Sequence, residues 1–155
     1  LSYDGQPIAD EPDQHHKRIA YLGHLNAIKT VLSVRENVTT WLPGGGEAAR
    51  RANSALEVFG LLPLAKQPAH LLSAGQRRRV ALARLAATGG DIWLLDEPSV
   101  GLDIVSQESL EAAIAHHRAA GGLVFLASHT AIDLPDAIEI NLAAYRPEDM
   151  PELIW

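Results

Sequence analysis

Two adjacent carboxylates, Asp96 and Glu97, directly follow the apolar residues 92–95. A short apolar run of this kind is typical of a buried β-strand, so the two acids lie where that strand ends. Such a pair can divide two tasks, since one carboxylate can hold a hard cation and the other can accept a proton from an attacking water. The pair could equally cap the turn after the strand, and these residues alone leave both interpretations open.

A second group of candidate residues stands at the start of a predicted helix, residues 76–87. Ser73 lies where this helix begins, Gly75 allows close backbone approach, and Gln76 follows. The free amides and the positive dipole end at a helix start attract an anion such as a phosphate. An ordinary serine-capped core helix would show the same residues, so this motif becomes specific only in combination with others.

The elements around the two acids predict what lies beside them. Residues 92–95 and 123–127 read as strands, and residues 106–119 between them read as an amphipathic helix. Such crossovers are right-handed in about 98% of cases and make the strands parallel, so both carboxyl ends lie at one edge of the sheet. We therefore expect His129, which follows the second strand, near Glu97 at the edge where open α/β sheets bind ligands. A neutral imidazole there could donate a hydrogen bond to a phosphate oxygen.

The order and spacing of these motifs resemble those of the ATP-binding cassette (ABC) ATPases. Leu72-Ser73-Ala74-Gly75-Gln76 occupies the place of their signature sequence, residues 92–98 that of their magnesium-aspartate strand, and residues 99–103 that of the following D-loop. Ala74 departs from the commonest form, which has a second glycine. The resemblance implies an α/β fold of the P-loop NTPase type, with a parallel sheet and a small helical subdomain inserted at about residues 25–88.

The resemblance also implies a role for each candidate residue, with ATP and Mg²⁺ as cofactors. Asp96 would bind Mg²⁺, Glu97 would be the general base for hydrolysis, and His129 would contact the γ-phosphate. The signature would touch the γ-phosphate of a nucleotide held by an opposing subunit, through Ser73, Gly75 and Gln76.

His24 stands where most ABC ATPases carry a glutamine that coordinates Mg²⁺ and senses the attacking water. The form Tyr21-Leu22-Gly23-His24, with the run at residues 28–37, is similar to the ATP-binding subunits of haem exporters in cytochrome c maturation. Mg²⁺ prefers oxygen ligands, so we expect His24 to form hydrogen bonds or relay water rather than bind the metal.

The sequence contains no G-x-x-x-x-G-K-[ST], the loop whose amides and lysine hold the β- and γ-phosphates. We therefore expect residues 1–155 to be a partial nucleotide-binding domain that begins after its phosphate-binding loop and is inactive alone. For the complete protein, the resemblance implies two partners, a second copy of the subunit with Asp103 at the interface and a transmembrane exporter subunit. It also implies a peripheral location at the cytoplasmic face of the inner membrane. Two alternatives stay open: the ATPase subunit of another small exporter, and a non-catalytic interaction remnant.

Composition narrows the possible partners further. The net charge is −6, and the one basic run, residues 77–79, is flanked by apolar helix residues. A nucleic-acid footprint is a basic patch, so we expect no nucleic acid as a partner. Cysteine is absent, which removes disulfides and thiolate metal sites. Adjacent residues on a helix point about 100° apart, so the pair at 116–117 does not converge on a metal. The pair at 15–16 lies in a polar segment, and we expect both pairs to be solvated histidines rather than a metal or haem site.

The rest of the sequence predicts the surrounding elements. Residues 1–8 read as two short strands around a tight turn, and residues 9–17 read as a polar linker. A capping box predicts a helix start at Ser33, and helical periodicity predicts a helix over residues 47–59. Alternation of Ile138, Ile140 and Leu142 predicts a last strand, followed by a polar tail from Arg146.

Overall fold

The structure, a computed structural model, describes residues 2–3 and 5–142 and has an α/β architecture. The strands are β1 Ser2–Tyr3, β2 Gln6–Pro7, β3 Ile19–Leu22, β4 Ile92–Asp96 and β5 Leu123–Ala127. The α-helices are α1 Pro12–Arg18, α2 Val34–Thr39, α3 Gly46–Val58, α4 Ala74–Thr88 and α5 Ile104–Ala119. Short 3₁₀ turns lie at Ile8–Asp10, Leu62–Leu64 and Ala69–Leu71.

The main sheet is parallel, with strand order β3-β4-β5. Leu22 of β3 lies beside Leu95 of β4, which in turn lies beside Leu126 of β5. This arrangement confirms the predicted strand-helix-strand unit and aligns the carboxyl ends of all three strands. The hairpin predicted near the start is also present, since β1 and β2 pair antiparallel.

Helices α2, α3 and α4 lie between β3 and β4 in the sequence, and they pack on one another. Both α2 and α4 begin with a complete capping box, at Ser33 with Glu36 and at Ser73 with Gln76. Helix α4 also packs on β3, so it connects the helical region to the sheet. One continuous apolar core includes Val38 of α2, Leu56 of α3 and Leu82 of α4, together with Leu95 of β4.

The two faces of the sheet are unequally covered. Leu22, Trp93 and Leu95 are buried on one face, whereas Tyr21 and Phe125 on the other are 65% and 59% exposed. None of the helices among the described residues has the length and apolar character needed to span a bilayer.

The prediction of a polar linker at residues 9–17 is wrong, because α1 forms there. Its residues are polar and none is buried, so no apolar periodicity reveals it. Pro12 in its first turn has a backbone angle suited to a helix start, and basic residues in the last turn complement the helix dipole. The interactions at the two ends of α1 thus favour a helix although none of its residues forms an apolar face.

The predicted last strand at residues 138–142 is also absent. Ile138, Ile140 and Leu142 are 90%, 62% and 77% exposed, and no strand is assigned to their segment. A strand needs a neighbour to take up its backbone hydrogen bonds. Within the described ranges, no strand pairs with the outer edge of β5 or with these residues. The predicted tail from Arg146 lies outside the described residues.

Candidate functional site

The carboxyl ends of β4 and β5 bring Glu97 and His129 together. His129 Nδ1 lies 2.8 Å from Glu97 Oε1, and the backbone amide of His129 donates to the same oxygen over 3.0 Å. The Ser128 hydroxyl donates to Glu97 Oε2 over 3.3 Å. The contact between the strand-end acid and the histidine after the next strand is therefore confirmed as geometry.

These donors stabilise the ionised carboxylate of Glu97. The hydrogen bond from the His129 side chain is the largest influence lowering the pKa of Glu97, and partial desolvation acts in the opposite direction. The His129 amide, the charge of the imidazole and the Ser128 hydroxyl add to the lowering. Glu97 is thus ionised at neutral pH and can accept a proton.

The backbone at Glu97 is held in an unusual conformation. Its φ is +48°, in the left-handed region, which costs an L-residue roughly 1–2 kcal/mol. The next residue is Pro98, and residues before proline favour extended backbone. Such a conformation persists only where the surroundings enforce it, and it is commonest at functional sites.

Arg78 contacts the backbone around this strained residue, and the sequence analysis missed it. Its Nη2 donates to the carbonyls of Asp96 and Glu97 over 2.9 and 2.6 Å, and its Nε donates to that of Pro98 over 3.2 Å. Arg78 is only 4% exposed. The apolar neighbours of the basic run were a signal of burial, but nothing in the sequence indicates the cluster of carbonyls that receives the guanidinium.

Asp96, the last residue of β4, suits a hard cation. Its side chain offers carboxylate oxygens and, among the described residues, accepts no hydrogen bond that would occupy them. Mg²⁺ is usually bound by one or two carboxylates together with water and substrate phosphates. Asp96 therefore fits one position of such a site.

His24 leaves the sheet at the same edge, two residues beyond Leu22 of β3. Its side chain is exposed, and no hydrogen bond within the described part of the chain joins it to Asp96, Glu97 or His129. The fold places His24 near this edge of the sheet, without a hydrogen bond to the other candidate residues.

The signature residues form a second group at the start of α4. The Ser73 hydroxyl accepts from the Gln76 amide over 3.2 Å, and the Gln76 side chain accepts from the Ser73 amide over 2.9 Å. Gly75 lies so close to the next loop that an added Cβ would be 2.8 Å from the carbonyl oxygen of Gly101. The expected close approach at Gly75 is confirmed.

Asp103 is the N-cap of α5. Its carboxylate accepts from the Ser106 amide over 2.8 Å. The Ser106 side chain is the largest influence lowering the pKa of Asp103, and the Ser106 amide is the next. An open recess of about 240 Å³ lies between this cap and the start of α4. The recess is lined by Ser73, Gly75, Gln76, Arg79, Gly101, Leu102, Asp103 and Ser106.

The two groups of candidate residues stay separate within one chain. No hydrogen bond or ion pair of the described residues links the side chains at the start of α4 to Asp96, Glu97 or His129. The connection between them runs through helix α4, whose Arg78 reaches the end of β4. The described residues therefore form two separate groups of candidates, which are called half-sites below.

The prediction that His117 is solvated needs correction. Its ring stacks on Trp93 with centroids 4.1 Å apart and planes 8° from parallel, at the junction of α5 and β4. Stacked aromatic pairs of this kind contribute to packing.

The parallel sheet, the strand-end acids and the signature helix together define an ATP-binding cassette. The ABC transporter family matches residues 1–100, and the chain belongs to that family. Within it, the chain is 47% identical over 148 residues to the cytochrome c biogenesis ATP-binding export protein CcmA of Rhodospirillum rubrum. It is 45% identical over 156 residues to the CcmA of Paramagnetospirillum magneticum.

The coverage of these relatives is unequal. The two alignments include 96% and 97% of this chain but 64% and 72% of the respective relatives, so the chain spans about two thirds of their length. A solved dimeric ATP-binding cassette bound to ADP and Pi matches with a TM-score of 0.69 at 23% identity. That match covers 84% of this chain and 60% of the solved one, and it supports the fold.

Proposed function

We propose that this chain is the part of an ABC ATPase subunit that carries the hydrolytic carboxylates and the signature, and that the complete protein energises haem export in cytochrome c biogenesis. The observation that supports this most strongly is Glu97, which follows Asp96 at the end of β4 and is hydrogen-bonded by the side chain and the backbone amide of His129. The cargo assignment rests on the similarity to CcmA proteins.

In the proposed reaction, Glu97 is the general base. Its carboxylate accepts a proton from the water that attacks the terminal phosphorus of ATP, and ADP with inorganic phosphate leaves. The imidazole of His129 orients Glu97 through Nδ1 and, with both ring nitrogens protonated, donates from Nε2 to a γ-phosphate oxygen, while His24 orients the water. Asp96 would hold Mg²⁺, which neutralises charge on the phosphates when it is bound.

The start of α4 would serve a second nucleotide. Its amides, with Ser73, Gly75 and Gln76, would meet the γ-phosphate bound to an opposing copy, and Asp103 would lie at that interface. The separation of the two half-sites in one chain is the support for this proposal. The assembly would sit peripherally at the cytoplasmic face of the inner membrane, on a transmembrane exporter subunit.

The first prediction concerns Glu97→Gln in the complete protein. This change removes the base and keeps the size of the side chain, so ATP turnover should fall by about 10²- to 10⁴-fold. Nucleotide binding should persist, because the phosphate contacts come from other residues. Steady-state phosphate release and a nucleotide-binding titration measure the two quantities.

Glu108→Gln on α5 is the matched control, since Glu108 is exposed and belongs to neither half-site. Its turnover should equal that of the unmodified protein. Full turnover in the Glu97 variant would reject the base assignment. Transport of another cargo, with no transport of haem, would reject the haem assignment and leave the ATPase assignment intact.

A further inference from the structure

The guanidinium of Arg78 has every donor engaged although it contacts no carboxylate. Three of its hydrogen bonds go to the carbonyls of Asp96, Glu97 and Pro98. In the other two, Nη1 donates to the Gly23 carbonyl and to the Asn26 side-chain oxygen, each over 2.9 Å. A guanidinium carries five N–H donors, and here each has an acceptor.

We propose that Arg78 is a positioning residue for hydrolysis, which clamps the backbone of Glu97 in its left-handed conformation and fixes the loop bearing His24 to the same point. This inference rests on the proposed function, because it concerns how Glu97 is presented to the water.

The clamp acts on the two dihedral angles of Glu97. The carbonyls of Asp96 and Glu97 belong to the peptide planes on either side of the Glu97 Cα, and both accept from Nη2 of Arg78. Binding both to one nitrogen fixes the planes relative to each other, and this relation is what φ and ψ describe. The Glu97 amide is held separately by the Ala127 carbonyl over 2.8 Å. Together these bonds direct the Glu97 side chain towards His129.

The other edge of the guanidinium holds the segment after β3. Gly23 directly precedes His24, and Asn26 lies two residues beyond it. Because the guanidinium is rigid and planar, the strand-end acids and the His24 loop keep a fixed separation. No second residue in the described part of the chain is hydrogen-bonded by its side chain to both segments.

Burial makes this arrangement sensitive to substitution. Arg78 is almost fully excluded from solvent, so water cannot readily take over the five acceptors. Lysine has one nitrogen in place of the planar fork and cannot reach both edges at once. Glutamine keeps two donors without the charge.

The test uses Arg78→Gln in the complete protein, measured by steady-state hydrolysis. A displaced base slows the chemical step, so kcat should fall by about 10- to 100-fold. The apparent KM for ATP should stay within about threefold, because Arg78 bonds to backbone carbonyls and to Asn26 and to none of the side chains proposed to hold Mg²⁺ or phosphate. Arg51→Gln is the control, since it also loses a bond to a backbone carbonyl, that of Thr88, away from both half-sites. Its kcat should not change.

A double-mutant cycle separates positioning from general damage. If Arg78 acts through Glu97, adding Arg78→Gln to Glu97→Gln should change the residual rate by less than about twofold. A further tenfold loss in the double variant would overturn the proposal, and so would an unchanged kcat in the single variant. Full turnover of Glu97→Gln would overturn the proposed function and this inference together. A lowered kcat in Glu97→Gln with an unchanged kcat in Arg78→Gln would overturn this inference alone.

If Arg78→Gln does not fold, Arg78→Lys takes its place in the same cycle. It keeps the charge but loses the fork, so kcat should again fall without a matching rise in KM. Unmodified turnover in Arg78→Lys would overturn the proposal.

Discussion

The pairing of Glu97 with His129 makes a prediction about pH. His129 lowers the pKa of Glu97, so His129→Ala should raise that pKa towards its ordinary value. Glu97 must be ionised to accept a proton, and the acid limb of the kcat profile should therefore move to higher pH. Ser128→Ala removes, of the bonds to Glu97, only the 3.3 Å contact, together with two bonds to the Thr130 backbone, and it should move the limb less. A limb that stays in place in the His129 variant would contradict this account, whatever happens to the maximal rate.

The same pair affects folding stability with a defined sign. A carboxylate with a lowered pKa in the folded state adds stability that is fully present above its unfolded pKa. That contribution is lost as the pH falls through the folded pKa of Glu97. The pH dependence is therefore confined to acid conditions, and near neutrality the contribution is present and constant.

Arg78 shows where inference from sequence stops at the scale of one residue. Three consecutive arginines on a helix resemble a solvated basic run, and helical phase alone cannot say which of them turns inward. The acceptors of Arg78 come from positions 23, 26 and 96–98, which meet only after β3 and β4 have paired. By contrast, Glu97 and His129 were predictable as neighbours, because each directly follows a strand of one parallel unit.

At the scale of elements, Gly75 links the start of α4 to the loop before α5. Gly75→Ala would place a Cβ 2.8 Å from the Gly101 carbonyl oxygen, so one of the two segments must shift. We expect a loss of roughly 1–3 kcal/mol in the free energy of unfolding, typical of overpacking. Denaturant titration of the complete protein measures it.

Gly44→Ala is the control for that substitution. An added Cβ at Gly44 meets nothing within 4 Å, and the stability change should stay within about 0.5 kcal/mol. Equal effects of the two substitutions would show that the close approach at Gly75 does not matter.

The elements differ in how far local sequence determines them. Helix α2 was predictable from its capping box and α4 from the serine at its start, and β4 and β5 were predictable from short apolar runs. Helix α1 has no buried residue, so the hydrophobic pattern of the sequence does not predict it; the proline in its first turn and the basic residues in its last turn favour it instead. Residues 138–142 have the right alternation, but a strand is a property of a pair of segments rather than of one. The boundary of the helical subdomain at residue 88 stays a prediction.

For the whole molecule, we expect the membrane partner to dock on residues 25–62. This region begins directly after His24, at the edge of the sheet where β3 ends, and it leads to the signature helix α4 at its other end. It presents exposed apolar side chains, including Leu25 at 81%, Val31 at 84% and Trp41 at 56%. Exposed apolar side chains in one segment are the feature that motivates the docking prediction.

Single cysteines test this docking surface, because the chain has none of its own. Val31→Cys and Leu25→Cys should cross-link to cysteines in a cytoplasmic segment of the transmembrane subunit. Ile138→Cys, equally exposed at 90% but outside the region, should not. Cross-links formed only from residues 146–155 would assign docking to the tail instead.

The left-handed backbone of Glu97 also bears on how this sequence can be engineered. Glycine adopts positive φ without the penalty that glutamate meets there, so a search for stabilising substitutions would favour glycine at position 97. Natural proteins stand near a stability threshold, and the residues that most resist improvement are those whose chemistry is needed. Under the proposed function, the backbone at position 97 favours glycine whereas turnover requires glutamate, so libraries screened for heat resistance alone would put no selection on turnover there.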